Sequence, residues 1–411
     1  MTRTRPAISD VHVLDADRLR AAYDLFGAAL HRGPAPDQRW NPARGLYEPG
    51  RTFGVYDGDL LVGTAMSFTT GTAVPGGAVL PTAAVSRVGV RADHTRRGVL
   101  TALMGRQLAA VAGAGEVLAS LRASEAPIYG RFGYGVASRG RHLRVRRRGS
   151  GWRTAAPTGG AVRVLEPGEV LDVLRPLHRR LAHLRPGGIT RTDGWWELSV
   201  GRTLTARDHL VVAVHTGPDG DDGFLVAAAQ STGRFGEDTL TVSDLHAADP
   251  AAVAGLWRFA LGLDLVAVVE GRLRPLDEPL ELLLADPRDV EVTGVDDETW
   301  LRVVDVPAAL AARRFAPAEP VLLAVRDPLL PANDGVYRIA DGTAERVGDP
   351  GGPVRAELEC DAAGLAMAYL GDREPSALVG AGWWRALDPV AVGRADRAFR
   401  TSSAPWSGTF F

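Results

Sequence analysis

The run Val85-Ser86-Arg87-Val88-Gly89-Val90 leads through Thr95-Arg96-Arg97-Gly98 into Val99-Leu100-Thr101, and this transition limits the fold more than any other feature of the chain. Small and apolar residues fill 83–90 as they fill a strand. Leu100, Leu103, Met104, Leu108 and Val111 then recur every three or four positions, the spacing of one helix face. Gly113-Ala114-Gly115 ends that helix, and residues 117–121 read as a further strand. Strand, helix and strand in succession belong to an α/β layer built on one sheet. Arginines and a glycine at the strand-to-helix turn bring backbone N–H groups and a positive dipole end together, a cradle for a phosphate or pyrophosphate.

The surrounding pattern extends this unit. Leu19, Ala22, Tyr23, Phe26 and Leu30 predict an amphipathic helix behind Asp15 or Asp17, and residues 52–56 and 60–68 predict strands joined by Asp57-Gly58-Asp59. A first unit therefore spans 1–150, and the glycine-rich stretch 149–160 reads as a linker. A second unit, 160–290, opens on a helix-like stretch at 164–184 that Pro176 and Pro186 are expected to interrupt. Strands at 210–214, 224–229 and 240–245 and a helix at 252–262 repeat the order of the first sheet, with Asp249-Pro250 where the Arg-Gly turn stood. The second unit is thus expected to be a degenerate copy. In a third, 295–411, strands at 300–306, 321–326 and 336–339 surround the turn Asn333-Asp334-Gly335, and helices with polar outer faces are expected at 361–369 and 388–399. The last ten residues show no period, and burial is expected for both Phe410 and Phe411.

Composition narrows the function classes. A length of 411 residues suits two to three domains, and 45% hydrophobic with 23% charged residues suits an ordinary globular chain. The net charge of −2 gives no global attraction to nucleic acid or anionic membrane. Arg139, Arg141, Arg144, Arg146, Arg147 and Arg148 form a local basic cluster, but without interleaved aromatics they read as a solvated strand end or a contact to acidic surfaces. Cys360 is the single cysteine, which excludes an intrachain disulfide and a multi-thiolate metal site. The nine histidines lack paired metal-ligand spacing, and His178 and His183 read as a solvent-facing helix, so no metal is expected. No apolar run is long enough to span a bilayer and residues 1–6 lead into no leader-like segment, so a cytoplasmic location without membrane contact is expected.

The candidate chemistry lies in three pieces. Val88, Gly89 and Val90 offer a strand edge whose glycine lets a backbone or ligand approach; Arg96, Arg97 and the N–H groups of Gly98, Val99, Leu100 and Thr101 offer an anion site; Tyr129 offers a phenolic proton. Each has a plainer reading: a packing glycine, solvated arginines, a packed tyrosine. The order of the three along one scaffold is that of acyl transfer from a thioester.

Residues 85–98 resemble motif A of the GCN5-related N-acetyltransferases, and Ile128-Tyr129-Gly130-Arg131-Phe132-Gly133-Tyr134-Gly135 resembles their tyrosine-bearing motif B. With the whole stretch 123–135, Val325-Arg326-Asp327-Pro328 before Asn333-Asp334-Gly335 and the aromatic end, the chain resembles the enhanced intracellular survival (Eis) family over essentially its full length. That resemblance implies two acetyltransferase-type α/β domains in tandem, the second degenerate, and a C-terminal sterol-carrier-like α+β domain whose end reaches the active site. It implies acetyl-CoA lying against Val88, Gly89, Val90, Arg96, Arg97, Gly98, Val99, Leu100, Thr101, Ser124 and Glu125, with Tyr129 as general acid and the α-carboxylate of Phe411 as general base. The acceptor would be a primary amine: an aminoglycoside-like molecule, a polyamine or a lysine side chain. A homohexamer is also implied. Two positions depart from the family: Thr95 stands where Arg or Gln is usual, and Phe410 where relatives carry an acid. These departures leave open an alternative, a non-catalytic acyl-CoA or lipid-sensing binding protein. Tyr23, Asp24, Phe26 and Trp40 are the expected walls of the acceptor pocket, with Asp24 either a ligand for an ammonium or a surface carboxylate.

Overall fold

The computed structural model describes residues 10–147, 149, 151–205, 210–231, 233–234 and 236–411. Arg148, Ser150 of the linker and residues 1–6, on which the leader reading rests, lie outside the described residues. The first unit contains β1 (Val11–Val13), α1 (Leu19–Ala29), α2 (Asp37–Arg44), β2 (Thr52–Asp57), β3 (Leu60–Ala73), β4 (Val79–Val90), α3 (Val99–Gly113), β5 (Leu118–Leu121), α4 (Ala126–Tyr129) and β6 (Gly135–Arg146). The second contains β7 (Ala161–Val164), α5 (Val170–Leu181), α6 (Asp193–Trp196), α7 (Arg202–Thr205), β8 (Leu210–Gly217), β9 (Gly220–Gln230), β10 (Asp238–Ala247), α8 (Pro250–Gly262), β11 (Val266–Pro275) and α9 (Leu280–Leu283). After β12 (Val290–Val303) come α10 (Val306–Ala312), β13 (Val321–Arg326), β14 (Gly335–Ala340), β15 (Thr343–Gly348), β16 (Leu358–Asp361), α11 (Ala362–Tyr369), α12 (Pro375–Gly380), β17 (Trp384–Ala386) and α13 (Val390–Phe399).

The first two units share one twelve-stranded sheet in the order β1-β2-β3-β4-β5-β12-β6-β11-β10-β9-β8-β7, and β13–β17 form a separate five-stranded sheet. Both halves of the large sheet contain a parallel pair crossed by a helix: β4–α3–β5 and β10–α8–β11. The resemblance stops at the helix start. Asp249 caps α8, its carboxylate accepting from the N–H groups of Ala251 (2.8 Å) and Ala252 (2.9 Å). The dipole end that would receive a phosphate is thereby filled by the chain's own anion. In the first unit Gly98, at φ +82°, precedes α3 without any side-chain cap.

Four sequence expectations change. Residues 300–303 do form a strand, but as the end of β12, which pairs with β5 and β6 in the large sheet rather than with β13. Helix α5 runs through Pro176, because the proline lies on the exposed side where water can serve the freed carbonyl, while Val170, Leu174, Leu177 and Leu181 bury the other face. His178 is buried on that same face, against Trp196, Phe224 and His246, rather than exposed; His183 is half-buried and 2.9 Å from the Thr190 hydroxyl. Helix α11 has no polar outer face: its Ala- and Leu-rich sequence is buried nearly throughout, packed between β6, β12 and the small sheet. Gly135 makes this approach possible, since a Cβ there would collide with the Ala363 carbonyl. Three arginines of the basic cluster are in ion pairs, Arg139 with Asp372 (2.9 Å), Arg141 with Glu281 (3.0 Å) and Arg147 with Asp264 (2.8 Å), and Arg144 and Arg146 are exposed.

The third unit is locked to the first through buried charge. Arg302 of β12, fully buried, donates from Nη2 to both carboxylate oxygens of Asp327 (2.7 Å each) and from Nε to the Phe132 carbonyl (2.9 Å), next to the Tyr129 turn. Asn333 joins the network through Asp327 (2.7 Å), and its amide oxygen accepts from the N–H of Val306 (2.9 Å). Breaking one side of such a pair leaves a buried charge uncompensated. Asp327→Ala should therefore lower the stability measured by urea unfolding by about 3–5 kcal/mol. A loss below about 1 kcal/mol, the range of an exposed pair, would contradict this account.

Candidate active site

The site begins where β4 leaves its neighbour. Thr82, Ala83 and Ala84 pair in parallel with Leu118, Ala119 and Ser120; β4 then continues to Val90 while β5 ends at Leu121. Residues 85–90 thus have backbone groups without a β5 partner, and a polar ligand chain can pair there. On the other side, Ser86 pairs with Met66 and Gly89 with Thr64, so Arg87 and Val88 together oppose Ala65. This is a β-bulge, and Arg87 adopts φ +49° within it.

Alternation along β4 divides the flanking groups between two faces. Ala83 and Val85 pack with Met104, Leu108 and Tyr129 on the α3 side. Ala84 packs with Met66, Phe68, Leu46 and the half-buried Phe411 ring on the other. Phe68 pairs with Ala84, and its ring meets the Phe411 ring edge-to-face at 5.5 Å. Groups on opposite faces of a sheet can serve one reactant only at a gap between strands, and the β4/β5 divergence offers a gap of this kind.

Of the residues expected to bind cofactor, Val88 is half-buried and Val90 lies at the free end of β4. Gly89 is used by helix α1, since a Cβ there would stand 3.2 Å from Phe26 Cα and Ala29 Cβ. Arg96, at φ +60°, and Gly98 form a concave turn before Val99, Leu100 and Thr101. The two arginines behave differently. Arg97 is tied to Asp57 (3.0 Å), which also meets His94 (3.1 Å), whereas Arg96 is exposed and has no ion pair among the described residues. Ser124 and Glu125 are exposed at the turn entering α4. Tyr129 is buried; burial, then the nearby Glu125 carboxylate, push its phenol up to about 12.

The tail is held by groups that no sequence motif marks. Glu298 of β12, without exposure, accepts from the N–H groups of Ser407 (2.9 Å) and Gly408 (2.8 Å), from Ser138 (2.8 Å) and from Arg122 (3.2 Å). Arg122 also donates to the Thr409 carbonyl (3.0 Å), Arg191 to the Gly408 carbonyl (2.8 Å) and Trp195 to that of Phe410 (2.6 Å). Arg191 is paired in turn with Asp244 (2.5 Å). Burial alone would raise the Asp244 carboxyl, but Arg191 and then His246 hold it well below the usual range. Burial and the Arg191 charge keep His178 neutral. Phe410, expected buried, is 69% exposed beneath the Arg122 guanidinium, because its carbonyl rather than its ring is the anchored group.

Residues 10–137 match the acetyltransferase (GNAT) domain family, residues 187–303 a second acetyltransferase (GNAT) domain family and residues 306–408 the sterol carrier protein domain family. The N-acetyltransferase Eis of Mycobacterium bovis is 34% identical over 84% of this chain and 85% of its own length. The chain belongs to the Eis family of GCN5-related N-acetyltransferases. An uncharacterized N-acetyltransferase of Streptomyces avermitilis is 38% identical over 97% of this chain and 98% of its own. The crystal structure of Eis1 from Mycobacterium abscessus superposes with a TM-score of 0.88 at 37% identity, covering 98% and 100% of the two chains. The protein is accordingly an acyltransferase whose co-substrate is an acyl-CoA, in two acetyltransferase-type domains and a sterol-carrier-like one. Among the described residues no helix is long and apolar enough to cross a membrane.

A groove of about 1280 Å³ lies elsewhere, between α1, β1 and the β2–β3 turn, with Asp15, Asp24, Asp59 and Asp93 among its lining residues. It does not reach Tyr129 or Phe411. The tail anchors predict a simple outcome. Carboxypeptidase should remove Phe411 from a Glu298→Ala variant at least about tenfold faster than from the parent, since the opened state becomes more populated. Equal rates would show that Glu298 does not hold the tail.

Proposed function

We propose that the protein transfers an acetyl group from acetyl-CoA to a primary amine by direct attack, with Tyr129 as general acid and the Phe411 α-carboxylate as general base. The observation that carries this reading is the docking of the tail on Phe68, one face of the sheet away from Tyr129, where β4 and β5 part. The pantetheine would pair with Val88, Gly89 and Val90, and the pyrophosphate would rest on the turn from Arg96 to Gly98 and on the N–H groups of Val99, Leu100 and Thr101, with Ser124 and Glu125 at the other rim. The acceptor ammonium gives one proton to the Phe411 carboxylate, which passes it to water. The amine nitrogen then bonds to the thioester carbon, the C–S bond breaks, and the sulfur takes the Tyr129 proton. The new amide nitrogen sheds its second proton, which restores the phenol. An α-carboxyl has a reference pKa of roughly 3.3–3.7, so the base acts by accepting a proton in a partly desolvated setting or through one water. A cytoplasmic homohexamer acting on a small amine or a lysine side chain is the assembly that the family likeness favours.

Because Tyr129 is raised to about 12, it keeps its proton wherever the enzyme is assayed. Phenol protonation should leave kcat level from about pH 8 to about pH 10, and a decline with a midpoint near ~10 would assign the acid an ordinary, solvated tyrosine. Tyr129→Phe should reduce kcat by about 10²–10⁴-fold. A twofold loss would place the acid elsewhere. Arg96→Ala should raise the KM for acetyl-CoA with kcat nearly intact; an unchanged KM would leave the phosphate to backbone donors alone.

The Phe411 role has its own test. One glycine added after Phe411 moves the terminal charge by up to ~3.3–3.6 Å. A misplacement of about 1 Å can cost on the order of 10²-fold in rate. Turnover should therefore fall while acetyl-CoA affinity, measured calorimetrically, stays within about twofold. A fully active extended protein would show that the terminus only packs. Saturable acetyl-CoA binding with no thiol released by any amine would favour the binding-protein alternative.

A further inference from the structure

The bulge of β4 holds an arginine whose charge no carboxylate among the described residues neutralises. Arg87 is 7% exposed, and among the described residues no carboxylate forms an ion pair with it. Its nearest polar contact is Met66 Sδ, 2.8 Å from Nη1. Two rings take the place of an acid: the guanidinium carbon lies 4.8 Å from the Tyr47 centroid and 5.4 Å from that of Tyr23. Trp40 closes the box, 5.4 Å from Tyr23 and 5.6 Å from Tyr47. Asp24, expected as a ligand for an ammonium, is occupied by Arg20 (3.2 Å) and the Ala35 N–H (3.0 Å).

A buried guanidinium without a counter-ion is costly, and the usual resolution is a partner anion. A second orphan adjoins it. The Tyr47 hydroxyl is buried without a hydrogen-bond partner among the described residues. Burial keeps it protonated against the pull of Arg87, so it remains a donor. Beside the 4.8 Å contact of guanidinium and ring, the Tyr47 O–H and the Arg87 N–H groups not turned to Met66 have no acceptor among the described residues, a pairing suited to a carboxylate or phosphate oxygen. Met66, Tyr47 and Phe411 belong to one hydrophobic cluster, so these donors lie on the same side of the sheet as the tail end where the acceptor amine is placed. The bulge turns Arg87 toward these residues, immediately before Val88.

Resting on the amine acetyltransferase reading above, we propose that the acceptor is an amine that carries its own anion, a carboxylate or phosphate group on an aromatic or apolar body, and that Arg87 with Tyr47 receives that anion. Polycations are then poor acceptors, since a second ammonium would face the Arg87 guanidinium in a desolvated pocket. The exposed, uncharged Phe410 adds no acid to offset this.

The test compares four acceptors of matched size: para-aminomethylbenzoate, its phosphonate counterpart, benzylamine and para-xylylenediamine. In the parent enzyme kcat/KM should be at least about tenfold higher for an anionic amine than for benzylamine, with the diamine lowest. The better of the two anions identifies the group. Arg87→Gln should bring the anionic-to-neutral ratio to near one, and Arg87→Lys should restore part of it. A diamine preferred by the parent enzyme, or an anionic preference that survives Arg87→Gln, would overturn the proposal. So would an Arg87→Gln effect confined to the KM for acetyl-CoA. Calorimetric titration of para-aminomethylbenzoate into the coenzyme A-saturated protein judges the site without turnover: heat in the parent that is lost in Arg87→Gln supports it, and none in the parent refutes it. The melting temperature of Arg87→Gln should equal or exceed the parent's, because an unpaired buried charge is removed; a marked drop, with Arg87→Lys also blind to the anion, would make Arg87 a packing residue. Absence of thiol release from every amine would instead strike at the acetyltransferase reading.

Discussion

Strand β12 carries the two buried charges on which the active-site geometry depends. Glu298 grips the backbone of the tail, and four residues later Arg302 grips Asp327 and the carbonyl of Phe132. Because β12 lies between β5 and β6, the strand that joins the second unit to the third is also a central strand of the first. One element thereby fixes the turn that bears Tyr129 and the end that bears Phe411. Each carboxylate is far inside the protein, where ion pairs are little screened and where an unpaired charge would be severely penalised. The arrangement is consequently all-or-none: the tail docks with its partners satisfied or it does not dock.

The divergence of β4 from β5 converts this rigidity into a site. Parallel pairing ends at Ala84 and Ser120, and beyond that point the sheet has an opening flanked by different residues on its two faces. In the proposed reaction a thioester lying in the opening would be reached by a proton donor from one face and an acceptor from the other. The second unit repeats the parallel crossover but caps its helix with Asp249, which removes the anion site while preserving the scaffold. Its remaining contribution is to the tail, through Arg191, Trp195 and Asp244.

Local physics makes much of this legible beforehand. The strand, the Arg-Gly turn and helix α3 follow from side-chain period and glycine, and the Tyr129 segment follows from its order on that scaffold. What escapes is carried by tertiary pairing. Glu298 stands in an acidic run, Asp296-Asp297-Glu298, that reads like surface, and nothing local separates it from its exposed neighbours. Arg302 and Arg191 look like any surface arginine until their partners arrive from far along the chain. Pro176 breaks a helix only where its lost hydrogen bond cannot be met by water, and the exposed side of α5 meets it. A polar face on α11 is expected only if one side of a late helix meets solvent, whereas this helix is enclosed by two sheets. Arg87 reads as an ordinary residue of the strand; the bulge that re-aims it depends on the β3 register, which no pattern in β4 reveals.

A crystal structure with a non-hydrolysable acetyl-CoA analogue tests the account at its centre. The account predicts the pantetheine alongside residues 88–90 and the pyrophosphate on the turn at 96–98. It predicts the acetyl carbonyl in the gap between β4 and β5, with the Tyr129 hydroxyl on one side and the Phe411 end of the tail on the other. An analogue bound in the groove between α1 and β1, or one whose acetyl group lies away from both Tyr129 and Phe411, would contradict it.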